Sequence, residues 1–177
     1  MVAGQGSALP IHNLDKLFYP SSVAVVGATN QDNEAGNLVM HNLLQGGFQG
    51  PILPVSDREH AATGVLAYPR VDALPITPDL AVVCNPPREL PEVIGMLGER
   101  GTRAAIVLGP ARYGPGQDSV EPGFSPMMRE AEHHGLRVLG PDCLGLMVPR
   151  IGLNASVSFP MCPPWYRLRF AVGDRCH

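Results

Sequence analysis

A chain of 177 residues that is 45% apolar is long enough for one well-packed domain, and its 16 acidic against 13 basic side chains give a net charge of −3. That balance excludes a general nucleic-acid binder, and apolar runs no longer than a strand exclude a membrane span. The N-terminal MVAGQGSALPIHN lacks the charged start and long apolar stretch of a secretory leader, so residues 1–13 are expected to form a flexible arm on a cytoplasmic protein.

Leu14 to Phe18 suits one helical turn, ended by Pro20. Val23 to Val26 is a short run rich in β-branched residues, the pattern of a strand covered on both faces. Gly27 stops it, and Ala28, Thr29 and Asn30 make a turn of small or polar residues. From Ala35, the positions Leu38, Val39, Leu43 and Leu44 recur at three- and four-residue spacing and predict a helix closed by Gly46 and Gly47. Ile52 to Val55 reads as a second strand, in which Pro54 is tolerated only at a strand end or a sheet edge. Ser56, Asp57, Arg58 and Glu59 make a polar loop, Val65 to Tyr68 a short extended piece, and Asp72 to Pro78 a proline-broken turn.

Leu80 to Cys84 reads as a third strand, ended by Asn85-Pro86-Pro87. Glu89 to Arg100 is helical, with Leu90, Val93, Ile94 and Leu97 on one face and Gly101 beyond its end. Ala104 to Leu108 is a fourth strand, followed by a Gly- and Pro-rich loop over 111–123 that is expected to be mobile. Phe124 to His134 is a helix stopped by Gly135, and Arg137 to Leu139 a fifth strand that runs into Gly140-Pro141-Asp142-Cys143.

Strand, helix and strand repeated with short connections predict an α/β fold, a Rossmann-like parallel sheet with helices on both faces. Every strand then ends at one edge, in loops that begin at Gly27, Ser56, Asn85, Gly109 and Gly140. Open α/β sheets bind ligands along that edge. A glycine between the first strand and first helix lets a phosphate approach the backbone, toward the free N–H groups and positive end of the helix. The expected ligand is a nucleotide or another phosphate ester. A branched side chain at position 27 is expected to exclude it while leaving the domain folded.

The turn GATNQDNEAG lacks the GxGxxG fingerprint of dinucleotide sites, and Asp57 is the one acid placed to hold ribose hydroxyls after the second strand. NAD(P) is therefore the weaker alternative, and the absence of GK[ST] excludes a P-loop. Cys84, Cys143, Cys162 and Cys176 form no CxxC pair, so neither structural zinc nor a disulfide framework is expected, and no metal site is assigned. Cys84 is expected to be a buried small hydrophobe and Cys143 a packed or loop thiol without a histidine to activate it. His133 and His134 fall at a helix end and are assigned no chemistry.

SVAVVGAT, PILPV, LAYPRVDALP, PDLAVVCNPP, RAAIVLG, GLRVLGPDCLG and GLNAS occur in that order. The set resembles the CoA-binding domain of NDP-forming acyl-CoA synthetases, and is similar in outline to the succinyl-CoA synthetase α subunit and to the ligase-like region of GNAT-type bacterial lysine acetyltransferases. The resemblance covers about residues 14–156 and implies a domain that binds CoA or acyl-CoA across the strand-end rim. It implies that Gly27, Ala28 and Thr29, with Asn30 beside them, contact the CoA phosphates. Pro54, Val55 and Ser56 stand for a Pro-Val-Asn loop at the nucleotide end, with Arg58 where relatives often carry lysine. Asn85 and Pro86 match the loop after the third strand. Gly140, Pro141, Asp142 and Cys143 match GPNC, with an acid replacing the neutral amide.

In the family the reaction passes through a phosphorylated histidine in a second domain, and the nucleotide binds a further grasp-type domain. This chain ends at His177 before any counterpart, so it is expected to be inactive alone, with a separate synthetase subunit as one partner able to restore activity. An acyl-CoA-binding regulatory region of a lysine acetyltransferase is the alternative from the same resemblance. Residues 157–177 hold the single Trp and two of the four Cys without apolar periodicity, and are expected to be a frameshifted or disordered tail.

Overall fold

The structure, a computed structural model, describes residues 13–109 and 124–158. The expected mobile loop over 111–123, most of the N-terminal arm and tail residues 159–177 lie outside the described residues.

Five strands, β1 (Val23–Val26), β2 (Ile52–Val55), β5 (Leu80–Val83), β6 (Ala104–Leu108) and β7 (Arg137–Cys143), form one parallel sheet in the order β2-β1-β5-β6-β7. The chain leaves β1 toward one side, adds β2, then returns past β1 to build the other side. The point of reversal lies between β1 and β5, where their carboxyl ends diverge and a crevice opens.

Alternation along the strands divides the core in two. Ala24, Val26, Ala81 and Val83 face α3 (Leu90–Glu99) and α4 (Phe124–His134), whose Leu90, Val93, Ile94, Leu97, Met127 and Ala131 cover that side. Val23, Val25, Leu80 and Val82 face α1 (Leu14–Phe18) and α2 (Ala35–Gly46), joined there by Leu153 and Ala155. Strands covered on both sides need apolar residues throughout, which is why they read as continuous runs. The fold is thus the expected Rossmann-like sheet with helices on both faces. No helix among the described residues is long and apolar enough to cross a membrane.

Pro54 lies in β2, an edge strand, where its missing N–H leaves no ladder bond unmade. The outer side of β2 is met by the 65–68 segment: Tyr68 N donates to Pro54 O at 2.9 Å and Ser56 N to Tyr68 O at 2.8 Å. That segment is part of a small hairpin, β3 (Ala61–Ala62) with β4 (Val65–Leu66).

Several expectations need correction. The buried face of α2 is Gly36, Val39, Met40 and Leu43; Leu44 is 40% exposed. The helix is turned so that its smallest residue, Gly36, meets the turn after β1, and this rotates Met40 inward. The third strand stops at Val83, although Cys84 N still donates to Val26 O. A 3₁₀ turn over Pro87–Glu89 precedes α3, and another over Val71–Ala73 opens the proline-broken stretch. The fifth strand extends to Cys143, and a second hairpin follows, β8 (Gly145–Val148) with β9 (Leu153–Ser156). Asn42 ties that hairpin to α2 by donating to Ser156 O at 2.8 Å and Ser158 O at 3.0 Å.

Candidate functional site

Two clefts of about 380 Å³ each open at the carboxyl edge of the sheet. They meet over Gly27, Glu34, Cys84, Asn85 and Pro86, at the reversal point between β1 and β5. The first runs over the end of β2 and is walled by Ser56, Arg58, Arg70 and Arg88, with Val71 and Met96 as an apolar side. The second runs toward β6 and β7, between Pro87, Leu90, Gly109 and Pro141.

Gly27 has φ +83°, and a Cβ there would stand 3.1 Å from Asn85 Oδ1 and 3.3 Å from the Cys84 carbonyl carbon. Any side chain at 27 is therefore strained as well as obstructive, which corrects the expectation that a branched residue would leave the domain intact. Gly36 is the partner the sequence reading missed. A Cβ on it would collide with Gly27 O, and its distance to the Ala28 Cα would be 3.1 Å. Only glycine lets the start of α2 seat against the turn. The clue is a glycine in the first turn of a helix, a position with no propensity reason for one.

The amides at this edge divide into those of the turn and those of the helix start. Gly27 N and Ala28 N both donate to Val55 O, at 3.0 and 3.1 Å. They bind the turn to β2 and have no proton to spare. The N–H groups of Ala35, Gly36 and Asn37 at the start of α2 have no acceptor among the described residues, as helix geometry requires. The helix end thus supplies the donors and the positive dipole end, while Gly27 supplies the space. Glu34 precedes the helix without capping it and lines both clefts.

Asn85 donates through Nδ2 to Glu89 Oε2 at 3.1 Å, and its Oδ1 is buried over Gly27 without a partner among the described residues. An orphaned buried acceptor at the meeting of two clefts fits a ligand that brings an N–H or O–H donor. Cys84, expected to be buried, is half-buried and lines both clefts, yet desolvation by its surroundings pushes its thiol up to about 12, so at this junction it is a neutral group.

Of the residues singled out from sequence, Gly27, Ala28, Thr29, Val55, Ser56 and Arg58 line the first cleft. Asn85 and Pro86 line both, and Pro141 lines the second. Asn30 lines neither, because its side chain is spent inside the fold: Nδ2 donates to Glu59 Oε2 and Ala61 O, and Oδ1 accepts from Thr63 N. Ser56 Oγ likewise accepts from Arg58 N and Glu59 N and shapes its own loop. Pro54, Gly140, Asp142 and Cys143 line neither cleft. Asp142 N is tied to Gly109 O at 2.9 Å, and Cys143 Sγ donates to Val107 O at 3.4 Å. Arg70 and Arg88 were not foreseen, since single arginines in proline-rich loops carry no periodic signal. No group of His, Cys, Asp and Glu among the described residues is arranged to hold a metal ion.

The family described as "CoA binding domain" matches residues 21–149. Among curated proteins, acetate–CoA ligase [ADP-forming] I of Archaeoglobus fulgidus is 30% identical over 82% of this chain and 21% of its own length. The alpha subunit of acetate–CoA ligase [ADP-forming] II of Pyrococcus furiosus is 32% identical over 81% of this chain and 31% of its own. Among solved structures, the dinucleotide-forming acetyl-coenzyme A synthetase 1 of Candidatus Korarchaeum cryptofilum, in complex with phosphate and ADP, superposes with a TM-score of 0.73 at 33% identity. It covers 81% of this chain and 30% of its own. The chain therefore spans between a fifth and a third of the relatives it matches.

Proposed function

The chain belongs to the CoA-binding domain family, as found in ADP-forming acyl-CoA synthetase-like proteins, and from that premise we propose that it holds coenzyme A or an acyl-CoA along its strand-end rim and works with further synthetase parts, in the same protein or a separate subunit. One observation carries the reading: the two clefts join at Gly27, where the start of α2 presents free amides and Asn85 presents an orphaned acceptor. A molecule with a charged nucleotide at one end and an amide-bearing arm at the other fits a divided cleft of this kind.

In this reading Arg58 and the walls of the first cleft hold the nucleotide. The amides of Ala35, Gly36 and Asn37 hold the diphosphate, and Asn85 Oδ1 accepts from an amide N–H of the pantetheine arm. Pro86, Leu90 and Pro141 guide that arm along the second cleft. Asn30, Pro54, Gly140, Asp142 and Cys143 keep the surrounding loops in place. When bound, coenzyme A supplies the thiol that carries an acyl group. The residues here bind and orient it, and the chemistry of thioester formation falls to the rest of the synthetase.

Calorimetric titration of the chain with CoA, acetyl-CoA, NAD and NADP tests the proposal. Saturable binding of CoA or acetyl-CoA with no response to NAD or NADP is expected. Binding of NAD or NADP alone would overturn it. Asp57 does not favour that alternative: its carboxylate is 84% exposed and leans on Arg58 at 3.9 Å.

A further inference from the structure

We infer that Arg70 and Arg88 form a subsite for a phosphate carried on the ribose, so that the chain separates CoA from its 3′-dephospho form; this rests on the CoA reading above and deepens it. Both arginines wall the first cleft together with Arg58, so three guanidinium groups border one opening. The diphosphate needs none of the three, because the start of α2 already offers it amides and a dipole. A cleft with a helix start on one side and separate guanidinium forks on the other has provision for more anionic groups than a diphosphate brings.

The two arginines are poised rather than occupied. Arg70 Nε leans on Asp72 Oδ1 at 3.4 Å, with both side chains 63% exposed. Arg88 Nε leans on Glu89 Oε1 at 3.5 Å, with the arginine 83% exposed. Exposed pairs at such distances hold weakly; each engages the Nε of its arginine, and Arg70 Nη2 makes one further weak contact, to Met96 Sδ at 3.9 Å. A phosphate dianion binds a guanidinium fork more strongly than an exposed carboxylate does. The position of Arg88 is also tied to the rim, since Glu89 uses its other oxygen to accept from Asn85 Nδ2. Val71 and Met96 line the same cleft and make its apolar wall. Four carboxylates, Glu34, Asp57, Glu89 and Glu92, border the same cleft. Their repulsion falls hardest on the ligand with the most phosphates, so a third phosphate is held there only because the arginine forks offset it.

The test is calorimetry with CoA and 3′-dephospho-CoA on the wild-type chain and on the Arg70→Gln/Arg88→Gln variant, with thermal melts to verify folding. The wild type is expected to prefer CoA by about tenfold or more, and the variant to bind both at the wild-type dephospho-CoA level. Equal affinity of the wild type for the two ligands, or an unchanged ratio in the variant, overturns the subsite and leaves the CoA reading standing. Failure of the wild type to bind either ligand overturns both. Because both side chains are exposed and make no buried contact, a fold defect is not expected. Should the double variant melt early, Asp72→Asn replaces it: releasing Arg70 from its carboxylate must raise the preference for CoA, and an unchanged ratio counts against the subsite.

Discussion

The turn after β1 and the bend inside β7 stand at the same edge of the sheet, and each depends on a glycine in the left-handed region, Gly27 at φ +83° and Gly140 at φ +100°. Around Gly27 the nearest obstacle is a side-chain oxygen at 3.1 Å, and two clefts open above it. Around Gly140 a Cβ would strike the backbone oxygen of Val107, and the register with β6 jumps so that Leu108 pairs with Cys143. The bend is a bulge pinned on both sides, by Asp142 N to Gly109 O and by Cys143 Sγ to Val107 O. Of its residues only Pro141 reaches a cleft. The same residue type at the same edge thus serves two ends: one glycine leaves the junction of two clefts open, the other lets two backbones touch.

Substitutions separate the two roles. Gly140→Ala combines a disfavoured φ with a collision against a backbone that cannot yield, and is expected to cost about 2–4 kcal/mol of stability. Thermal melting should register a fall of about 5–12 °C, with CoA affinity of the folded fraction little changed. A large loss of affinity at unchanged melting temperature would erase the contrast. Gly36→Ala pushes the start of α2 away from Gly27 O, so it should lower stability by about 1–3 kcal/mol and also weaken CoA binding, because the amides move. Titration of that variant at a temperature where it is folded sharpens the comparison.

Arg58→Ala should lower CoA affinity by about 1–3 kcal/mol without moving the melting temperature, since the side chain is 81% exposed. The smallest effect concerns the Cys84 thiol. With its thiol pushed up to about 12, Cys84 should resist alkylation near neutral pH and react faster as pH rises toward that value. Peptide mass spectrometry after iodoacetamide treatment reads this directly. Rapid labelling of Cys84 near neutral pH in the folded chain would show that the floor beneath the first turn is not packed.

The buried strands were legible because Val23 to Val26, Leu80 to Val83 and Ala104 to Leu108 have no polar residue to spoil the run. Their common edge, and with it the position of the rim, followed from parallel topology alone. The rotation of α2 was not legible: Leu38 and Leu44 fit an apolar stripe as well as Met40 does, and only the seating of Gly36 decides between them. The engagement of the turn amides was not legible either. Sequence shows a glycine turn but not that Val55 O takes both Gly27 N and Ala28 N. Asn30 was drawn to the ligand by its neighbours, whereas the hairpin that claims its side chain comprises pairs too short for any periodic signal.

The bridge between β2 and the Tyr68 segment has a consequence for how molecules of this chain meet one another. Strand margins are where unrelated copies recruit each other into growing assemblies. Here that margin holds a proline with no hydrogen to give, and the proline's carbonyl and the Ser56 amide are both claimed by Tyr68 from the same chain. An incoming strand finds the carboxyl end of β2 already paired, so ordered stacking of copies through that end is hindered by the molecule's own backbone.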